Sequence, residues 1–167
     1  MSKAKEFKKL EKDAEDSYDY RELADKVLES GDKEWGRKLY QKSLDLADCP
    51  ADFLQLGRKV FENLADNEWV RNIIQQGLKI TERPDETCYF GEDVAVNLGD
   101  KKWAKEIFKN ALGKAEDGYE HSYVAMCVAN ESCLGDKKWA REIYELGLKK
   151  CNDEDEKDEI ENSLRQL

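Results

Sequence analysis

The chain contains one histidine, His121, and five cysteines, Cys49, Cys88, Cys127, Cys133 and Cys151. Imidazole and thiolate are the groups best suited to general-base or nucleophilic chemistry near neutral pH. Neither has the company such chemistry needs. One imidazole supports no paired-His site, and no Ser-His-Asp or Cys-His pattern can be assembled around it. The cysteine count is odd and contains no CxxC, so neither zinc-ligand spacing nor a disulfide framework is indicated. Each thiol falls where a small apolar side chain would fit, the usual setting of a reduced cytosolic cysteine. His121 reads as a surface residue at the start of a helix.

Carboxylates are abundant, with 38 acidic side chains. Any two could be drawn as an acid–base pair, but their positions read as helix caps and solvated faces. Asn152-Asp153-Glu154-Asp155-Glu156 has the acidity of a calcium loop without its central Gly or a bidentate Glu at the right distance. The glycines belong to turns and form no phosphate-binding loop. Four tryptophans could build a cage for a cation, yet their identical surroundings place them between packed helices. The sequence thus predicts no enzyme, no cofactor and no metal.

Those surroundings define the architecture. Trp35, Trp69, Trp103 and Trp139 are spaced 34, 34 and 36 residues apart. Each closes the same phrase: Gly31-Asp32-Lys33-Glu34-Trp35, Ala65-Asp66-Asn67-Glu68-Trp69, Gly99-Asp100-Lys101-Lys102-Trp103 and Gly135-Asp136-Lys137-Lys138-Trp139. Regularity at this period is the signature of stacked helical repeats. Downstream, Leu39, Ile73, Ile107 and Ile143 stand four residues on, followed by Tyr40, Ile74, Phe108 and Tyr144. Small residues at eight (Ser43, Gly77, Ala111, Gly147) precede a leucine each time (Leu44, Leu78, Leu112, Leu148). Together they form one broad apolar stripe on a second helix, with room for a neighbour to approach.

Upstream, a first helix carries a large-small pair in each unit: Leu23-Ala24, Leu56-Gly57, Phe90-Gly91 and Met126-Cys127. An apolar residue recurs one turn on at Val27, Phe61 and Val94, with Asn130 as the exception. Glycine stops the first helix and the following Asp caps the second, so one short turn enforces an antiparallel pair. Asp48-Cys49-Pro50, Arg83-Pro84-Asp85 and Glu116-Asp117-Gly118 separate the units. The repeats span about 17–49, 50–83, 84–117 and 118–151. Residues 152–167 predict a charged capping helix with Ile160, Leu164 and Leu167 on one face. Residues 1–16, with Phe7 and Leu10, predict a charged helix or a frayed tail.

The stretch from Gly31-Asp32 to Leu44-Asp45-Leu46 resembles the second helix of a tetratricopeptide (TPR) repeat, and Tyr20, Leu23, Ala24 and Val27 resemble its first. The likeness covers about residues 17–150. Two features depart from it: the aromatic stands at the fourth residue of the turn motif instead of the third, and the closing Pro appears only as Pro50 and Pro84. Ala140-Arg141-Glu142-Ile143-Tyr144 also resembles the half-TPR repeats of RNA-processing scaffolds. The resemblance implies an all-α, right-handed superhelix whose first helices line a groove for a peptide or helix of another protein. Its groove candidates are Tyr18, Arg21, Asp25, Gln55, Arg58, Glu62, Tyr89, Glu92 and His121. Some members grip a chaperone's C-terminal carboxylate, but Asp25 stands at a clamp position here and would repel one.

The bulk properties agree with a folded protein-binding module. The chain has 167 residues and is 40% apolar and 40% charged, which suits a domain with a real core. Its net charge of −10 repels phosphate backbones and anionic lipid, excluding nucleic acid and membranes as expected partners. The same acidity leaves open a regulator of a basic protein, and a hydrolase built on carboxylates is a more distant alternative. The amino terminus lacks the apolar core of a signal peptide, so a cytoplasmic location is expected. A basic row, Arg37, Arg71, Lys105 and Arg141, follows each Trp by two positions and reads as a solvent face paired with nearby acids.

Overall fold

A computed structural model describes residues 3–167. Among them the chain is all α-helix: α1 (Lys3–Asp13), α2 (Ser17–Glu29), α3 (Lys33–Asp45), α4 (Pro50–Leu64), α5 (Asn67–Leu78), α6 (Pro84–Val96), α7 (Lys101–Lys114), α8 (Gly118–Ala129), α9 (Lys137–Leu148) and α10 (Glu154–Gln166). No helix among the described residues is long and apolar enough to cross a membrane.

The turn inside each repeat works as its residues dictate. Asp32, Asp66, Asp100 and Asp136 each accept a hydrogen bond from the backbone N–H of the Trp three residues on, at 3.0, 3.0, 2.9 and 3.1 Å. That satisfies one of the free donors at each helix start. The residue before the Asp is left-handed in every case: Gly31 at φ 98°, Gly99 and Gly135 at 64°, and Ala65 at 52°. Only Ala65 meets this requirement against the preference of its own Cβ.

The chain divides into two compact units, Met1–Ile80 and Thr81–Leu167. In the first, α2 pairs with α3 and α4 with α5, α4 also packs on α2 and α3, and α1 lies on α2. In the second, α6 pairs with α7 and α8 with α9, α8 also packs on α6 and α7, and α10 packs on α8 and α9. Thus α10 sits on the pair before it as α8 sits on α6 and α7, with Ile160 fully buried. The charged helix expected over residues 152–167 is present as α10, with Ile160 on its packed face. α1 is a helix rather than a frayed tail, and its Phe7 meets Trp35 edge-on with ring centroids 6.1 Å apart.

The core lies between paired helices. Leu23, Ala24 and Val27 of α2 are buried with Leu39 and Tyr40 of α3; Leu56 and Val60 of α4 with Ile73 and Ile74 of α5; Phe90 and Val94 of α6 with Ile107 and Phe108 of α7. In α8 the corresponding residues are Val124, Ala125 and Val128, all fully buried, whereas Met126 is 52% exposed. The pair Met126-Cys127 is therefore two residues out of register with the other large-small pairs. The cause is the longer turn between α8 and α9, where Glu131–Leu134 add residues absent from the other turns. Likewise Val60, not Phe61, fills the α4 core position.

The tryptophans depart from expectation as well. All four are half-buried and belong to no core. Trp35 donates its indole N–H to Glu11 at 3.1 Å. Trp69 lies under Arg37, and Trp139 under Lys105. Cys88, Cys127 and Cys133 are buried as expected, but Cys49 is exposed at the start of α4 and Cys151 is half-buried.

Candidate interaction surface

With the register corrected, the outward positions of each first helix can be counted from its central apolar residue. One position before it stand Glu22, Gln55, Tyr89 and Tyr123; two after it stand Asp25, Arg58, Glu92 and Met126. A helix presents such positions on one side, opposite the stripe that packs on its partner.

In the first unit this face is only partly free. Tyr18 is 55% exposed, and the Arg21 guanidinium carbon lies 5.4 Å from its ring centre. Arg21 itself is buried, contrary to its reading as a groove residue. Its Nη1 lies 3.7 Å from Asp52 Oδ1 and makes no hydrogen bond, so the side chain is wedged between α2 and α4. Asp25 faces outward but is heavily engaged. It accepts from the Tyr40 hydroxyl and from Asn63 Nδ2 at 3.1 Å, and pairs with Lys59 Nζ at 2.9 Å. Burial first, and then the Asp25 carboxylate, push the Tyr40 hydroxyl well above its ordinary range. This polar cluster ties α2, α3 and α4 together beside a cavity of about 240 Å³. Gln55, Arg58 and Glu62 are exposed along α4.

In the second unit the face is richer in apolar surface. Tyr89 is 43% exposed and meets the half-buried Tyr123 edge-on at 6.4 Å. Burial and the neighbouring Tyr89 hydroxyl push Tyr123 above its ordinary range. Val96, Tyr119 and Met126 are each about half exposed, at 56%, 49% and 52%. Glu92 lines a cavity of about 520 Å³ together with Met126, Glu131, Lys137, Tyr144 and Leu167.

His121, read from the sequence as a surface and groove residue, is buried. Its Nδ1 donates to the Asp117 carbonyl at 2.7 Å, and its Cβ lies against Gly147 of α9. It faces the second helix of its own repeat, because it stands three residues before Val124 on the inward side. Tyr119, Tyr123 and Met126 are the outward residues that the sequence reading missed. The wider 36-residue interval before Trp139 was the available sign that α8 begins farther from its Trp.

Other groups with chemical potential are accounted for by structure. The Cys127 thiol is pushed far up by Cys88 beside it and by burial, the opposite of an activated nucleophile. Asp48, Cys49 and Asp52 bring ligand-type atoms within 4.8 Å of one another. They form the start of α4, where Asp52 also faces Arg21 and accepts from the Asp48 N–H at 3.5 Å. Lys114 Nζ, whose pKa burial lowers, donates to Thr81 O, Thr81 Oγ1 and Thr87 Oγ1 at 2.7, 2.7 and 2.9 Å. It joins α7 to the segment entering α6.

Compared with protein-family models, with curated proteins and with solved structures, the chain matches none.

Proposed function

We propose that the chain is a protein-binding module, a TPR-like stack of two-helix repeats that recognises a peptide or helix of another protein on the outer face of its first helices. The observation that supports this most is where the exposed apolar bulk lies. The four most exposed large apolar side chains among the described residues, Val96, Tyr18, Met126 and Tyr119, belong to α2, α6 or α8, as does Tyr89, while the less exposed Leu46, Ile80 and Leu146 do not. Large apolar and aromatic side chains beside fixed polar groups are the usual anchors of protein recognition. The absence of an enzymatic role is part of the same reading: the single imidazole is buried against its own helix start, and the Cys127 thiol is pushed far up by Cys88 beside it and by burial.

The test is affinity capture from lysate with the intact chain and with Tyr89→Ala/Met126→Asn, at low and moderate salt. A partner held by the wild type at moderate salt and lost by the double variant is the expected result. The second reading, an acidic regulator of basic proteins, is favoured only by the net charge of −10. It predicts basic proteins captured equally by both forms and released by salt, an outcome that would overturn the proposal.

A further inference from the structure

Charge in the second unit is sorted by layer. α6 and α8 carry Asp85, Glu86, Glu92, Asp93 and Glu120 and no lysine or arginine. Their partners α7 and α9 carry eight basic residues against only Glu106, Glu142 and Glu145. A surface designed only for solubility intersperses the two signs; here the core separates an acidic layer from a basic one.

Several of these carboxylates are engaged. Asp85 pairs with Arg83 at 2.7 Å, Glu86 accepts from the backbone N–H groups of Glu82 and Arg83, and Glu120 accepts from that of Glu116. Glu92 lines the cavity beside the Cys127 thiol, and the lining also holds Glu131 and one cation, Lys137. α8 ends here, at Asn130, and its carboxyl end adds negative partial charge. Beside this acidic mouth lie the exposed Tyr89 and Met126 and the Tyr123 ring. Aromatic faces also attract cations.

We infer that this face binds a lysine- or arginine-rich segment of another protein carrying one large apolar side chain. The apolar group enters the cavity against Met126, Tyr144 and Leu167, and the flanking cations meet Glu92, Glu131 and the tyrosine rings. The inference rests on the protein-binding reading and names the chemistry of its partner.

The experiment uses the full chain and fluorescence anisotropy with short labelled peptides of three kinds. One is lysine- and alanine-rich with a central leucine, one replaces that leucine with alanine, and one replaces the lysines with glutamate. The lysine–leucine peptide should bind, and each change to it should weaken binding roughly tenfold or more. Met126→Asn and Glu92→Gln should each lose affinity while circular dichroism stays that of the wild type. Lys109→Glu, on the basic layer, should leave affinity undiminished. If the glutamate peptide binds instead, and Tyr89→Ala or Met126→Asn abolishes it, the inferred charge is wrong and the protein-binding reading stands. If the lysine peptides bind with or without leucine and the two face variants change nothing, the inference is overturned by a diffuse acidic attraction. If no peptide binds, the inference fails, and the lysate capture decides separately whether the reading beneath it fails too.

Discussion

The guanidinium of Arg37 lies 4.4 Å above the ring of Trp69, and its Nη1 sits 2.8 Å from Asp66, the residue that caps the helix bearing that tryptophan. One side chain thus reaches from α3 to the start of α5 and satisfies an aromatic face and a carboxylate together. Lys105 repeats the arrangement in the second unit, 4.8 Å over Trp139 and 2.8 Å from Asp136. Trp69 and Trp139 each offer one face to a cation from the repeat before, whereas Trp35 meets Phe7 and Glu11 of α1. Arg37→Ala should destabilise the first unit by about 1 kcal/mol, the sum of an exposed cation–π contact and a surface ion pair. In a Trp69→Ala background the same change should cost visibly less. A urea-denaturation double-mutant cycle reads the difference, and strictly additive losses would show that the stacking is incidental.

The basic row behind this contact was visible in the sequence as Arg37, Arg71, Lys105 and Arg141, but its destination was not. Sequence showed that these residues share a helix face; only packing could show that a neighbouring repeat's Trp lies beneath two of them. The helices, turns and caps were legible because Asp and Gly act locally and Trp recurs on a fixed period. The register of α8 was not, because counting back from Trp139 assumes a constant turn and the Glu131–Leu134 segment breaks that assumption. That error hid Tyr123 and placed Met126 in the core and His121 outside it. Arg21 was misread for a different reason: charge suggested exposure, whereas its stem is long enough to be buried beside Asp52.

The same two cation sites set an acid dependence. The Trp69 backbone N–H, and then Arg37, hold the Asp66 carboxyl below its ordinary 3.8. For Asp136 the Lys105 ammonium is the larger cause and the Trp139 N–H the next. A carboxyl lowered in the folded state stabilises above its unfolded pKa, and that contribution is lost as pH falls through the folded value. Stability of the wild type should therefore drop on acidification below 3.8. Asp66→Asn/Asp136→Asn should be less stable near neutrality and show a shallower loss over that window. Urea midpoints measured across the acid range test this, and parallel curves for the two proteins would refute the assignment.

Gly57 and Gly91 hold equivalent positions in α4 and α6 but should respond oppositely to alanine. A Cβ at Gly57 would lie 3.8 Å from Ile73 and Ile74, ordinary contact distance. At Gly91 it would come within 2.8 Å of the Phe108 ring, which is itself fully buried. Alanine in a helix interior is favoured over glycine by roughly 0.5–1 kcal/mol, so Gly57→Ala should stabilise by about that amount. Gly91→Ala should cost about 1–3 kcal/mol, because a rigid packed ring cannot move aside without strain. Thermal melts of the two variants decide it. A stabilised Gly91→Ala would mean that the α6–α7 interface is looser than its geometry indicates.

Glu156 is the buried carboxylate that docks α10 on the rest of its unit. It is 1% exposed, and its Oε1 accepts from the Tyr119 N–H at 2.8 Å while Oε2 accepts from Asn152 at 2.6 Å. Its own N–H is capped by Asp153 at 2.8 Å. The carboxylate therefore serves two helix starts at once, α8 and α10, where free N–H groups and the helix dipole favour negative charge. Gly118 makes room for it, since a Cβ there would fall 2.6 Å from Oε1. Glu156→Gln keeps the shape but turns an amide donor toward one of these N–H groups, which should cost about 1–3 kcal/mol. Gly118→Ala should weaken the same joint by displacing the carboxylate. Because Ile160 is held by this docking, both variants should raise amide hydrogen exchange in α10 before the rest of the second unit responds. Unchanged α10 exchange in Glu156→Gln would place the docking of α10 in Ile160 packing alone.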